Sequence, residues 1–332
     1  MSICPGISLM AQGVCSSSAL APVYSETFGV SSSPSKKSII PAGFVTNYVF
    51  NGSNALDDGQ YMVTPLGKNA GRNDWAQGAD HTGNTNGNMY IVNAGRPSSG
   101  PVDLFFSKQV DDLCPGSVYS FSAWLANMNT ISSTKPICGS GLVWPKVTFN
   151  IKNTSGTILK TFTTDTLPLT QKTNMAPNWQ QYGFQFTLPA GTTSLILEMR
   201  DGWGGQASYC GNDLAIDDIV FSACTPTATV TLSTSSNICA GTATSINSSL
   251  VNSPFSNPAY QWQQSTDGGT TWVNIGTAGT GSANYSIASA ATTHSGMYRV
   301  VVGPDVSSLT STTCVTASNT ISLSVNPAIL VT

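Results

Sequence analysis

Apolar residues in this chain recur in short alternating or continuous runs, each cut off by Gly, Asn, Pro or Ser, and nowhere does a helical spacing persist. A period of two puts successive side chains on opposite faces of an extended strand. Strands are expected at Phe44–Phe50, Tyr61–Thr64, Met89–Asn93, Val102–Val110, Val118–Met128, Lys146–Lys152, Ile158–Thr164, Gln181–Leu188, Ser194–Met199 and Leu214–Ser222. So many short strands at close spacing predict an all-β fold, an antiparallel jelly-roll β-sandwich. A second, smaller set follows at Thr229–Leu232, Thr244–Leu250, Ala259–Gln264, Thr271–Ile275, Tyr285–Ala288, Gly296–Val302 and Thr320–Val325. Those seven fit one sandwich of about 100 residues.

With 332 residues, two cores are expected rather than one. The boundary falls at Thr225-Pro226-Thr227-Ala228-Thr229, which reads as a Pro/Thr spacer. The organisation is therefore an N-terminal segment 1–14, a first domain 15–224, a linker 225–229 and a second domain 230–332. Ile7 to Ala11, followed by Gln12 and Gly13, has the look of a signal-peptide tail without the basic start.

Lys and Arg number 13 against 16 Asp and Glu, so no basic stripe exists for a phosphate backbone, and nucleic-acid partners are excluded. No apolar run approaches the ~20 residues that cross a bilayer as a helix, so no membrane span is expected. The eight cysteines are Cys4, Cys15, Cys114, Cys138, Cys210, Cys224, Cys239 and Cys314, with no C-x-x-C pair and only His81 and His294 beside them. That set suits disulfides rather than zinc. It places the chain in an oxidising compartment, secreted or on the extracellular cell surface. A closed loop of about 100 residues contributes roughly 4–5 kcal/mol on the chain-entropy model.

In the second domain, Tyr260-Gln261-Trp262-Gln263 is an alternating strand with a central Trp. His294-Ser295-Gly296-Met297-Tyr298-Arg299-Val300 resembles the D-x-G-x-Y-x-C stretch of immunoglobulin folds, with His294 in place of Asp and Val300 in place of Cys. The segment resembles the immunoglobulin-like modules of large bacterial surface adhesins. Because Val300 removes the usual inter-sheet bridge, Cys239–Cys314 is the pairing expected here.

Six stretches of the first domain share one order. They are Tyr24-Ser25-Glu26-Thr27-Phe28; Asn73-Asp74-Trp75 with Asp80-His81-Thr82 and Gly87-Asn88-Met89-Tyr90; Cys114 before Val118-Tyr119-Ser120-Phe121; Asn178-Trp179; Leu195-Ile196-Leu197-Glu198; and Asp213-Leu214-Ala215-Ile216-Asp217-Asp218-Ile219 closed by Cys224. Together they resemble the MAM domain of extracellular adhesion proteins, a jelly roll related to carbohydrate-binding modules. The resemblance implies a Cys114–Cys224 bridge, which leaves Cys138–Cys210 and Cys4–Cys15.

Asp217 and Asp218, adjacent on a strand, should point to opposite faces. One then meets the interior, where an uncompensated carboxylate is very costly. Structural calcium is the expected cofactor. The resemblance brings Glu26 to the same ion, with Asp80 and Asp213 as further candidate ligands. Ligand binding is expected at Arg200-Asp201-Gly202-Trp203-Gly204-Gly205 with Tyr209. There the glycines let Trp203 project from a rim loop, with Arg200 and Asp201 as flanking hydrogen-bonding groups. Trp124 and Trp179 are expected in the core.

Catalysis is not expected. No G-x-S-x-G elbow accompanies His81, Glu26 and Glu198 lie in separate strand patterns, and no phosphate loop opens a helix. The expectation is a non-catalytic adhesin fragment that binds a glycan or extracellular protein. Further modules of the same surface protein are expected after Asn326-Pro327-Ala328. The alternatives are a self-assembling subunit of a surface fibre and a carbohydrate-binding module of a larger secreted enzyme.

Overall fold

The computed structural model describes residues 14–15, 22–95, 102–131, 143–205, 211–281 and 284–328. The described residues are all β apart from short 3-10 turns. In the first module the strands are β1 (Tyr24–Glu26), β2 (Val49–Phe50), β3 (Gln60–Thr64), β4 (Met89–Asn93), β5 (Leu104–Val110), β6 (Val118–Asn127), β7 (Val147–Lys152), β8 (Ile158–Thr163), β9 (Gln180–Thr187), β10 (Leu195–Asp201) and β11 (Leu214–Cys224). They form a seven-stranded sheet, β2-β3-β4-β11-β6-β9 with β1 also on β11, and a four-stranded sheet, β5-β10-β7-β8.

The two sheets enclose Tyr90, Phe105, Phe106, Phe121, Phe149 and Phe221. β4 is buried along its whole length because it is covered twice. Tyr90 and Val92 face the main core, whereas Met89 and Ile91 face a second cluster with Leu56, Met62, Trp75, Met128 and Ala215. The 65–88 connection, which carries Trp75, thus lies across the outer face of the larger sheet.

The expected strand at Phe44–Phe50 shrinks to Val49–Phe50. Phe44 and Tyr48 are buried as core side chains without joining a ladder, apart from one isolated bridge at Val45. The linker is also shorter than expected. Thr225 and Pro226 are buried and β12 (Thr227–Leu232) starts at once.

The second module adds β13 (Asn237–Cys239), β14 (Thr244–Val251), β15 (Ala259–Ser265), β16 (Val273–Thr280), β17 (Tyr285–Ile287), β18 (Gly296–Gly303), β19 (Thr316–Ala317) and β20 (Ile321–Asn326). A three-stranded sheet, β12-β14-β17, packs with a six-stranded one, β13-β20-β18-β15-β16 with β19 on β18, around Trp262, Tyr298, Val300 and Val302. Tyr298 donates its hydroxyl to the His294 carbonyl at 2.6 Å, closing the turn ahead of β18.

The disulfides depart from the expected pairing. Cys15 is joined to Cys224, and Cys114 to Cys314 across the two modules. Cys239 is free and exposed at the end of the edge strand β13, whose partner there is Asn326. Cys314 instead lies in the turn before β19, beside the first module. Cys4, Cys138, Cys210 and Tyr209 lie outside the described residues.

Candidate functional site

β11 carries the site, and a single irregularity shapes it. Asp217 is opposite Trp124 on β6, and the next register pair is Val220 with Ser122, so Asp218 and Ile219 together oppose one residue. This is a β-bulge, with Asp218 in the left-handed region at φ 40°. Ahead of the bulge Leu214 and Ile216 face the main core, while Ala215 faces the outer cluster; after it Ile219 and Phe221 face the core. The extra residue therefore inverts the alternation. The expectation that the two aspartates simply point to opposite faces fails for this reason: both converge on His81.

Asp217 is 2% exposed and well supplied with donors. Its Oδ1 accepts from the Asp218 N–H at 2.8 Å, and its Oδ2 accepts from the His81 N–H at 3.3 Å and faces His81 Nδ1 at 3.1 Å. The other ring nitrogen, Nε2, is 3.5 Å from Asp218 Oδ2. The imidazole stacks on Trp124 at 4.6 Å between centroids and meets Trp179 edge-on at 6.4 Å. Trp179 Nε1 donates to the Ala79 carbonyl at 3.4 Å, steadying the segment that presents His81. Trp124 and Trp179, expected in the core, wall this site, and Trp179 also packs against the outer cluster.

Burial is the first cause of Asp217's pKa rising to about 6, opposed by the His81 hydrogen bond. Asp218 is also pushed up by burial, with His81 opposing and Asp80 adding to the shift.

The remaining expected ligands lie elsewhere. Glu26 reaches β11 through the β1 pairing, but opposite Ile219, on the core side of the bulge. Its Oε1 accepts from the Phe28 N–H at 2.7 Å. Asp80 neighbours the site, yet its Oδ1 caps its own turn, accepting from Thr82 Oγ1 and the Asn84 N–H. Asp213 lies four residues before Asp217. One of its oxygens accepts from Asn129 Nδ2 at 3.1 Å and the other, fully buried, has no donor. Burial drives its pKa well up.

Among the described residues, the one group of three or more His, Cys, Asp or Glu side chains able to share an ion is His81, Asp217 and Asp218, with ligand atoms within 4.8 Å of one another. Glu26 is not in it. Calcium takes six to eight oxygen ligands, so a set built on an imidazole fits it poorly. One imidazole with two carboxylates suits a smaller, borderline ion such as zinc or manganese. In the sequence, Asp80-His81-Thr82 together with the twin Asp was the available signal for this grouping.

The rim loop is organised from within. Asp201 is buried, accepting from the Trp203 N–H and Gly205 N–H at 3.0 Å each and from Asn212 Nδ2 at 3.1 Å. Arg200 Nη1 donates to both Asp103 carboxylate oxygens at 2.9 and 3.0 Å, and its Nε donates to Glu198 at 2.9 Å. Both residues brace the scaffold and are taken up internally, contrary to the expected ligand-contacting roles. Lys152 Nζ, 2.6 Å from Glu198, completes that network. The two cations hold the Glu198 carboxyl below the usual range despite the opposing effect of burial. Trp203 is half-buried: Nε1 donates to the Trp144 carbonyl at 3.0 Å, and Lys146 Nζ sits 4.3 Å from the ring centroid. Trp144 beside it is 38% exposed.

Residues 228–327 match a family described as a domain of unknown function (DUF8696). Comparison with curated proteins returned no match.

Burial raises Glu26, Asp58, Asp201, Asp213, Asp217 and Asp218, all in the first module. A carboxyl whose folded pKa is raised contributes stability that is complete below its unfolded pKa and lost as pH climbs through the folded value. For Asp217 that window runs from about 4 to about 6. With a chelator present, denaturant melts should show the first module more stable at pH 5 than at pH 7.5, by about 1–2 kcal/mol for Asp217 alone. Asp217→Asn should flatten that slope.

Proposed function

We propose that this chain is a non-catalytic adhesin segment: a MAM-like recognition module and an immunoglobulin-like spacer, acting outside the cell on a glycan or a protein partner. The position of the aromatic rim carries the reading. Trp144, Trp203 and Lys146 gather beside the start of β11, because Asn212, just ahead of that strand, ties to Asp201 in the rim loop. The two disulfides, one of which crosses to the second module, are at the other end of β11, ten residues along, roughly 33 Å at ~3.3 Å per residue. The rim is therefore directed away from the spacer. Two partly exposed indoles, with an ammonium over the Trp203 ring, suit the apolar face and hydroxyls of a sugar ring.

Two observations support an extracellular setting. The disulfides are compatible with an oxidising compartment, and no helix among the described residues is long and apolar enough to cross a membrane. His81, Asp217 and Asp218 would hold a divalent ion that joins the 65–88 connection to β11. Bound there, the ion supplies charge neutralisation, and its role is structural.

Glycan-array binding by the full chain tests the recognition claim. Trp203→Ala should reduce the signal at least tenfold with the melting temperature within a few degrees of wild type, and undiminished binding would reject the rim. For the ion, zinc at a hundredfold over its Kd should stabilise the first module by about 2.7 kcal/mol. Calcium should not, and Asp218→Asn should remove the zinc effect. Equal responses to both ions, or to neither, would reject the assignment.

A further inference from the structure

The two disulfides close very long loops yet meet at one place. Cys15–Cys224 spans 209 residues and encloses every strand of the first module. Cys114–Cys314 spans 200 and crosses between modules. Cys224 ends β11 in register with Val118 at the start of β6. The turn that leads from Cys114 to Val118 is closed by the Ser117 N–H donating to the Cys114 carbonyl at 3.2 Å. One ladder pair and one tight turn thus separate the bridges. On the same side Gly116 faces Pro304 and Asp305 of the second module, and Thr225 and Pro226 are buried in the crossing.

We propose that the bridges form a load bypass. Tension between the chain ahead of Cys15 and the chain beyond Asn326 passes from Cys15 to Cys224, across the Val118 pairing and its turn to Cys114, and out through Cys314. The bodies of both modules, from β1 to β18 in order, lie in closed loops beside this path; only β19 and β20 are in series with it. If the Cys224–Val118 pairing yields, three segments still connect the bridges in parallel: Cys15 to Cys114, Cys224 back to Cys114, and Cys224 on to Cys314. All three must lengthen together, and the shortest, about 90 residues, stops the extension near 320 Å at ~3.6 Å per residue. Until that pairing yields, a surface on the first module would thus keep its shape while the chain is pulled. The connectivity alone carries this inference, independently of the recognition proposed above.

Single-molecule stretching of the full chain, tethered at both termini, tests it. Under oxidising conditions the released contour should not exceed about 370 Å, the length of the roughly 100 residues from Cys224 to Asn326. After reduction with a phosphine the same molecule should release about 1,100 Å, a threefold gain. Oxidised release well beyond 400 Å, or equal lengths in both conditions, would overturn the bypass. Cys314→Ser places the second module in series, so the oxidised variant should release the same length at a lower rupture force. An unchanged force would show that Cys114–Cys314 carries no load.

Discussion

A buried carboxylate must be satisfied or neutralised, and at Asp217 that requirement organises the first module. Removing an ionised group from water costs several kcal/mol unless donors or an opposite charge replace the lost hydration. Here the replacement comes from 136 residues away, through the backbone and ring of His81. The cross-link holds the 65–88 connection flat on the larger sheet. That in turn creates the outer cluster of Met62, Trp75, Met89 and Ile91, and leaves β4 buried on both faces. The bulge makes this geometry possible, because a regular β11 would carry Asp217 and Ile219 on one face.

Division of labour follows from where β11 begins and ends. Its first residues adjoin the loop of Asp201 and Trp203, and its last residue is half of a disulfide that fixes the chain's path into the second module. The aromatic rim proposed for recognition and the disulfides proposed to carry load therefore occupy opposite ends of one strand. On the smaller sheet, the Glu198, Lys152, Arg200 and Asp103 network links β7 to β10 and to the residue ahead of β5, next to the rim loop.

Much of the fold was legible because alternation and continuous apolar runs report burial directly. Met89–Asn93 and Gly296–Val302 are strands at nearly those bounds, since their side chains pack on at least one covered face. Phe44–Phe50 misled because aromatic residues such as Phe44 and Tyr48 can fill a core without making a ladder. The bulge at Asp218 left no local trace; its register is imposed by β6 and by β1. The cysteine pairing was equally invisible, for a bridge reports proximity after folding, and Cys114 reaches the second module rather than the end of its own. The rim loop was legible as a loop, but the internal use of Arg200 and Asp201 depends on Asp103 and Asn212, which are distant in sequence or lie across the loop. At the site, the twin Asp pointed to a buried charge, whereas its partner proved to be His81 and not Glu26.

His81 and Asp217 stabilise the fold through each other. A double-mutant cycle with His81→Ala and Asp217→Asn, read by denaturant unfolding of the full chain, measures that coupling free of each residue's separate losses. The expected coupling energy is about 1 kcal/mol or more, with the double variant scarcely worse than Asp217→Asn alone. Strictly additive effects would contradict it, leaving the aspartate and the histidine as neighbours without a shared role.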